Sequence, residues 1–385
     1  MSEKSIVEKL KKIISLEKDT EADYCPVNFL RFIHYDHLES GINNIGVPLF
    51  LTWNITNECN LSCFFCSASA KASKSPVDNE NTLKIADKIC DSGCIYVYIL
   101  GGEPTRNIKL IEVIKNFNKK NIFVEISSNG FGINGNFAKE ISKLNQDLLR
   151  IKLSLDSSNP KINDKIRGNG SFELVSRALD NLNRFHVSSR IQSVICEFNK
   201  YTIYDTYKFA EANNCKSFGF NFVLPVGRGL NARGVALDED ILNQIIHIKD
   251  DEKYTKLEKY GFGVSNYNYM KGVFSENNIG LDAQKSDIIS KLKCNACKYR
   301  LNIDENGDIY PCDMLRFREF LMGNILRDDL MSVFESDVAK KINKISRKTK
   351  TKCKGCTEYW CNSGCYGACY AHFKKNNKMA AMCEL

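Results

Sequence analysis

The segment CNLSCFFC places Cys59, Cys63 and Cys66 with three and then two residues between them, directly after the apolar run PLFLTWNI. Thiolates are soft ligands suited to iron–sulfur clusters or zinc. A zinc site would call for a fourth Cys or His close by, and none is adjacent. Three cysteines on a four-iron cubane instead leave one iron without a protein ligand, free to bind a substrate. A second concentration of cysteines runs from Cys294 through Cys297 and Cys312 to Cys353, Cys356, Cys361 and Cys365, ends at Cys383, and has Cys369 within it. Clustered cysteines in a reducing compartment point to metal rather than to a disulfide framework. The remaining five, Cys25, Cys90, Cys94, Cys196 and Cys215, are scattered and read as small buried hydrophobes. The five histidines show no ligand-like grouping.

Three further segments carry polar or backbone chemistry. Gly101-Gly102-Glu103-Pro104-Thr105 follows the apolar run IYVYIL, and paired glycines let a backbone approach a ligand closely, although most such pairs are turns. Ser128-Asn129-Gly130 ends the run NIFVEIS. LSLDSSNPKINDKIRG holds Ser154 and Arg167, whose planar fork suits a carboxylate or, alternatively, a surface ion pair.

These residues need a scaffold, and the sequence supplies a regular one. PLFLTWNI, IYVYIL, NIFVEIS, LLRIKLSL, SRIQSVICEF and SFGFNFVL read as strands, separated by helix-like segments such as NIKLIEVIKNFNKK, FELVSRALDNLNRF and YTIYDTYKFAEANN. Near-continuous apolar strands joined by helices indicate a parallel sheet covered by helices. Six βα units, ending near Leu224, are fewer than the eight of a closed barrel, so the expectation is an α/β fold built on a partial (β/α)6 TIM-like barrel. In such folds ligands gather at the C-terminal ends of the strands, where the three segments and the first cysteine motif all fall. Residues 1–47 read as an N-terminal helical extension, with Ile6, Val7, Leu10, Ile13 and Ile14 on one face. Residues 48–225 form the barrel, 226–290 a polar bridging segment opened by GRGLNARG, and 291–385 a cysteine-rich domain held by metal more than by an apolar core.

Composition narrows the class. The 385 residues are 43% hydrophobic and 26% charged, ordinary for a globular protein. No apolar run reaches the roughly 20 residues of a membrane helix. The N-terminus MSEKSIVEKLKKIISLEKD lacks a signal-peptide pattern, so the expected location is cytoplasmic with no membrane partner. The net charge of +8 comes from scattered lysines without an aromatic-rich basic stripe, so no nucleic-acid partner is expected.

The CxxxCxxC spacing, GGEPT and the strand-end polar residues together resemble the radical S-adenosylmethionine (SAM) superfamily. The resemblance implies that Cys59, Cys63 and Cys66 hold a SAM-binding [4Fe-4S] cluster whose open iron chelates the SAM amino and carboxylate groups. One electron then cleaves SAM to a 5′-deoxyadenosyl radical that abstracts a hydrogen atom from the substrate. It implies cofactor contacts from Phe65 to the adenine, from Gly101, Gly102 and Glu103 around the amino group, from Ser154 and Arg167 to the methionine carboxylate, and from Ser128 nearby. An ordinary core role for Phe65 is the alternative.

The C-terminal cysteines are similar to those of the SPASM extension found in peptide-modifying members. That similarity implies two auxiliary [4Fe-4S] clusters, one on Cys294, Cys297, Cys312 and Cys365 and one on Cys353, Cys356, Cys361 and Cys383, for three clusters in all. The last run departs from the family pattern in having four residues, Thr357 to Trp360, where five are usual. A zinc ribbon on Cys294, Cys297, Cys353 and Cys356 would need a gap longer than the usual stretch of about 15–20 residues and would orphan four other cysteines. By the same resemblance Asp313, in YPCDML, matches the base proposed for sulfatase-maturing relatives; the alternative is a group that hydrogen-bonds backbone beside the cluster.

The implied function is oxidative cross-linking of a ribosomally made peptide through a thioether or carbon–carbon bond. A separate leader-binding protein would present the peptide, and a flavodoxin or ferredoxin would act as reductant. Formylglycine maturation of a sulfatase and tetrapyrrole side-chain oxidation are alternatives within enzymes. A non-catalytic iron–sulfur electron carrier is the alternative outside them, and a vacant iron beside GGEPT argues against it.

Overall fold

The computed structural model describes residues 48–73, 75–224, 226–232, 239–250 and 296–348, together with residues 366, 367, 370 and 371. The helical extension expected over 1–47, with Cys25, lies outside them, as does most of the bridging segment.

Each of the six apolar runs is a strand. In chain order the elements are β1 (Phe50–Thr56), β2 (Glu58–Cys59), β3 (Lys71–Ala72), α1 (Thr82–Asp91), β4 (Tyr96–Gly101), α2 (Leu110–Lys119), β5 (Phe123–Ser128), α3 (Gly135–Ile141), β6 (Leu149–Ser154), α4 (Pro160–Arg167), α5 (Ser171–Arg184), β7 (Ser189–Ile195), α6 (Ile203–Ala212), β8 (Ser217–Phe222) and α7 (Glu239–Asp250). The later part contributes β9 (Arg300–Ile303), β10 (Asp308–Tyr310), β11 (Gly323–Asn324), α8 (Leu330–Phe334) and α9 (Asp337–Lys348). The strands β1, β4, β5, β6, β7 and β8 lie side by side in that order, every neighbouring pair parallel. This is the partial (β/α)6 barrel, and its order follows the chain because each crossover helix returns to the next position.

The helices follow from one spacing. Thr82, Ile85, Ala86 and Ile89 of α1 are buried, as are Leu110, Val113, Ile114 and Phe117 of α2, and Val175, Ala178, Leu179 and Leu182 of α5. Positions i, i+3, i+4 and i+7 make one apolar stripe, and each large aliphatic buried there contributes about 1.5–3 kcal/mol. Trp53 meets Phe117 with ring centroids 6.2 Å apart, so Leu51, Trp53 and Ile55 face the helices. By alternation Phe50, Thr52, Asn54 and Thr56 face the inside of the barrel.

The inner face is polar in its middle and aromatic at its base. Phe50, Tyr96 and Phe123 stack in a row, with centroids 4.4 and 5.4 Å apart. Arg300 and Arg150 cap the two ends of the row, 5.0 and 4.9 Å from the Phe50 and Phe123 rings. Above it Lys152 pairs with Glu125 and sits over the Tyr98 ring. The base is filled by this stack, which leaves the C-terminal ends of the strands for chemistry.

The sheet does not stop at the barrel. β9 pairs in parallel with the outer edge of β1, Phe50 opposite Arg300 and Thr52 opposite Asn302. β10 and β11 continue antiparallel from it, giving a nine-stranded sheet. The start of the cysteine-rich domain is therefore built onto the first barrel strand.

Candidate active site

The chain leaves β1 through a tight passage into the cysteine loop. Cys59 lies in β2, whose pairing with β3 closes the loop that carries Cys63 and Cys66. Lys71 N donates to Asn57 O at 2.8 Å and Ser73 N to Cys59 O at 2.9 Å, fixing the neck. Cys59 is buried, Cys63 and Cys66 are half-buried, and all three are free thiols. Burial pushes the Cys59 thiol up to about 12 and raises that of Cys63, so a bare thiolate is unfavourable at either position. Two donors nevertheless aim at the Cys59 sulfur: Leu61 N at 3.4 Å and Asn129 Nδ2 at 3.5 Å. A buried sulfur given hydrogen-bond donors suits a thiolate bound to a cationic iron centre. Among the described residues no group of three or more His, Cys, Asp or Glu side chains is gathered for a single metal ion. A cubane has no such requirement, because each thiolate takes its own iron.

The two strand-end loops are stapled to this loop and to each other. Gly102 N donates to Thr56 O at 2.7 Å and Glu103 N to Glu58 O at 2.8 Å. The contact is so close that a Cβ added at Gly102 would lie 2.1 Å from the Glu58 carbonyl oxygen. The close approach that the paired glycines permit is thus to the chain's own backbone beside Cys59. Gly102→Ala is expected to push GGEPT off this seat and to slow the reductive SAM cleavage that the resemblance implies by about 100-fold, the scale of a 1 Å misplacement. The rate of 5′-deoxyadenosine formation measures it, and a rate within about twofold of wild type would refute the role of the contact.

Glu103 is the staple itself. Its Oε1 accepts from Thr105 N at 3.1 Å, Thr105 Oγ1 at 2.6 Å and Ser128 Oγ at 2.7 Å, and its Oε2 accepts from Asn129 N at 2.7 Å. Burial raises its pKa, and these hydrogen bonds oppose the rise without cancelling it. Ser128 Oγ in turn accepts from Gly130 N at 2.9 Å. Glu103 and Ser128 therefore act here by positioning the two loops, their polar atoms turned toward protein partners. Ser154 differs: its half-buried hydroxyl, at the inner end of β6, makes no side-chain hydrogen bond to the described residues.

Arg167 closes the opposite side. Its Nη2 donates to Asp156 Oδ1 at 2.9 Å and its Nε lies 2.7 Å from Oδ2, both side chains being buried. Burial works against the guanidinium charge, and the Asp156 carboxylate more than offsets it, holding Arg167 above its ordinary value. The Arg167 backbone carbonyl accepts from Cys63 Sγ at 3.6 Å, and its guanidinium carbon stands 5.5 Å from the centre of the Phe65 ring. The ion pair weighed for Arg167 from the sequence is present, buried rather than on the surface. It ties α4, Phe65 and the cysteine loop into one wall. Breaking it would strand a buried charge at a cost of about 3–5 kcal/mol.

Residues 53–210 match the radical SAM superfamily, and residues 294–357 match SPASM, an iron-sulfur cluster-binding domain. The chain carries a radical SAM domain followed by a SPASM domain. It is 26% identical over 333 residues to the mycofactocin maturase MftC of Mycolicibacterium smegmatis, covering 84% of this chain and 79% of that protein. It is 27% identical over 347 residues to the antilisterial bacteriocin subtilosin biosynthesis protein AlbA of Bacillus subtilis, covering 88% and 71%. Its fold is similar to the crystal structure of Streptococcus suis SuiB, with a TM-score of 0.66, 21% identity, and coverage of 99% of this chain and 89% of that one. SuiB has also been solved bound to its precursor peptide SuiA, at a TM-score of 0.60, 20% identity and coverage of 99% and 89%.

As a radical SAM enzyme with a SPASM domain, the chain uses SAM and [4Fe-4S] clusters. Of the auxiliary cysteines, Cys297 and Cys312 are described. They sit at the same end of the β9–β10 hairpin, Cys297 buried just before β9 and Cys312 half-buried two residues past β10. Cys294, Cys353, Cys356, Cys361, Cys365, Cys369 and Cys383 lie outside the described residues. Asp313 follows Cys312. Its Oδ2 accepts from Arg300 Nη2 at 2.8 Å and its Oδ1 from Asn302 Nδ2 at 2.6 Å. Arg300 Nη2 also reaches Thr52 Oγ1 at 3.2 Å, which connects Asp313 to the inner face of β1. The scattered cysteines behave as hydrophobes: Cys94, Cys196 and Cys215 are buried and Cys90 half-buried. No helix among the described residues is long and apolar enough to cross a membrane.

Sequence reasoning passed over Asp156, Arg106 and Arg228 and gave Asn129 no role of its own. Asp156 was within reach, since an acid two residues past the strand-end Ser154 and eleven before Arg167 invites pairing. Arg106 donates through Nη2 to Ser73 Oγ at 3.3 Å and to Ser75 O, gripping the chain as it leaves the cysteine loop. Nothing in the local pattern signals that grip.

Proposed function

We propose that this enzyme matures a ribosomally made peptide, closing a thioether or carbon–carbon cross-link by net two-electron oxidation. Relatives named for mycofactocin maturation and for biosynthesis of the bacteriocin subtilosin, and a fold neighbour solved with a precursor peptide, support the peptide class. The observation that carries the reading is the continuity of the sheet. Because β9 pairs with β1, Asp313 stands beside the same inner face whose strand ends hold the cysteine loop. The same barrel face would then offer a place for hydrogen-atom removal and a carboxylate for the proton that the second oxidation releases.

Cys59, Cys63 and Cys66 would hold the open cluster and the SPASM cysteines the auxiliary pair. Together cluster and SAM supply a one-electron cleavage that yields a strong hydrogen-atom abstractor. Gly101 and Gly102 present backbone to the cofactor, seated by Glu103 and Ser128. Ser154 and Arg167 serve its carboxylate end, and Phe65, packed against Arg167, its base. Arg167 retains N–H donors beyond those facing Asp156, since a guanidinium carries five. A separate leader-binding protein presents the peptide, and a flavodoxin or ferredoxin delivers electrons.

Two measurements test this. Anaerobically reconstituted protein should contain about twelve irons per chain, four per cluster; a ceiling near about four with tightly bound zinc would favour the ribbon. Incubated with SAM, a reductant and short peptides encoded beside its gene, it should yield 5′-deoxyadenosine and a peptide lighter by two hydrogen atoms. Conversion of a sulfatase peptide to formylglycine, with the encoded peptides untouched, would overturn the cross-linking reading.

A further inference from the structure

The first residues after β8 belong to the active site. The turn Gly227–Asn231 doubles back over the cysteine loop instead of leaving the barrel. Gly227 takes φ +57°, and a Cβ there would lie 2.4 Å from Ser67 O and 2.6 Å from Cys66 O. Both the conformation and the approach demand glycine. They allow Arg228 N to donate to Cys66 O at 2.9 Å. The Arg228 side chain then reaches across the loop, Nε to Cys63 O at 2.9 Å and Nη1 to Ala70 O at 2.9 Å. One residue thus grips the carbonyls of two of the three motif cysteines and the last residue before β3.

We propose that Arg228 is a positioning residue for the open cluster, bridging Cys63 and Ala70 so that the loop keeps the three thiols in the arrangement that one cluster requires. The physical case is threefold. The loop between Cys59 and Ala70 has little regular structure, so its carbonyls need donors from elsewhere. A guanidinium offers parallel N–H groups in a fixed plane, which an ammonium cannot reproduce. The backbone N–H of Arg228 adds a third hold, on Cys66 O at 2.9 Å, so the side chain and backbone of one residue fix the carbonyls of both Cys63 and Cys66. Groups that orient ligands in this way commonly change metal affinity by 10–100-fold. The proposal requires the cluster and not the peptide reading, and its test involves no peptide.

The test uses the full reconstituted chain and follows the electron paramagnetic resonance signal that changes on addition of SAM, which reports the open cluster alone. Wild type, Arg228→Gln and Arg228→Lys are challenged anaerobically with an iron chelator. In Arg228→Gln the SAM-responsive signal should decay about tenfold faster than in wild type, the lower end of the range for such ligand-orienting groups, while the auxiliary signals decay at the wild-type rate. Arg228→Lys, which keeps the charge but loses the planar bridge, should show a smaller acceleration confined to the same signal. It carries the test alone if Arg228→Gln is insoluble. Decay of the SAM-responsive signal at the wild-type rate in the soluble variants overturns the proposal. So does equal acceleration of all the clusters, which would mark Arg228 as a general support of the fold.

Discussion

A variant with Cys59, Cys63 and Cys66 all replaced by Ala is expected to hold about eight irons in place of about twelve and to form no 5′-deoxyadenosine. The loop loses all three of its thiols, which are the ones proposed to hold the open cluster. The auxiliary clusters should stay visible, because the cysteines proposed to hold them lie elsewhere in the sequence, from Cys294 onward. Cys59 is buried with Leu61 N and Asn129 Nδ2 directed at it, so the triple change also leaves those donors without their sulfur. The cost is local, on the order of 1–3 kcal/mol for an unsatisfied buried group, and should lower the melting temperature modestly without unfolding the barrel. Undiminished 5′-deoxyadenosine production would remove the basis for assigning the cluster to this loop.

Asp313→Asn should separate radical formation from product formation. Clusters and SAM cleavage should persist, and cross-linked peptide should fall by about 100-fold or more, the usual contribution of a positioned acid–base group. Asp313 is held from both sides by Arg300 and Asn302, so its carboxylate is oriented before substrate arrives. The amide keeps one acceptor oxygen for Arg300 but turns a donor toward Asn302 Nδ2. A purely structural role would therefore disturb the hairpin and with it the auxiliary-cluster spectra. Unchanged spectra with lost product assign the base; wild-type turnover excludes it.

The six barrel strands were readable because each is a near-continuous apolar run, and a parallel strand covered by helices must be one. α3 is seven residues long, too short for a clear apolar stripe, and α4 is short and polar outside Ile162 and Ile166, so its identity rests on Asn159 capping and Pro160 at its start. β9 was invisible for a different reason. RLNI is four residues long, and its pairings make it a strand: with β10 next to it and with β1, some 250 positions earlier. The same divide runs through the site. The cysteines and glycines declare themselves because the chemistry needs those atoms or that space. Arg228 and Asp156 do not, because their meaning lies in which carbonyl or guanidinium the fold brings to them.

That long-range pairing also bears on how the protein is made. The ribosome completes β1 and the cysteine loop first, then all six βα units, and only afterwards the segment that covers β1's outer edge. At about 5–20 residues per second, that edge waits on the order of 10–50 seconds for Arg300 to Ile303. An uncovered strand edge is a template for wrong pairing. Phe50 and Leu51, buried in the finished fold, are apolar at its start, which makes β1 a liability of the nascent chain until β9 arrives. Truncations ending before residue 300 should accordingly aggregate during synthesis, whereas those that include residue 324 should not.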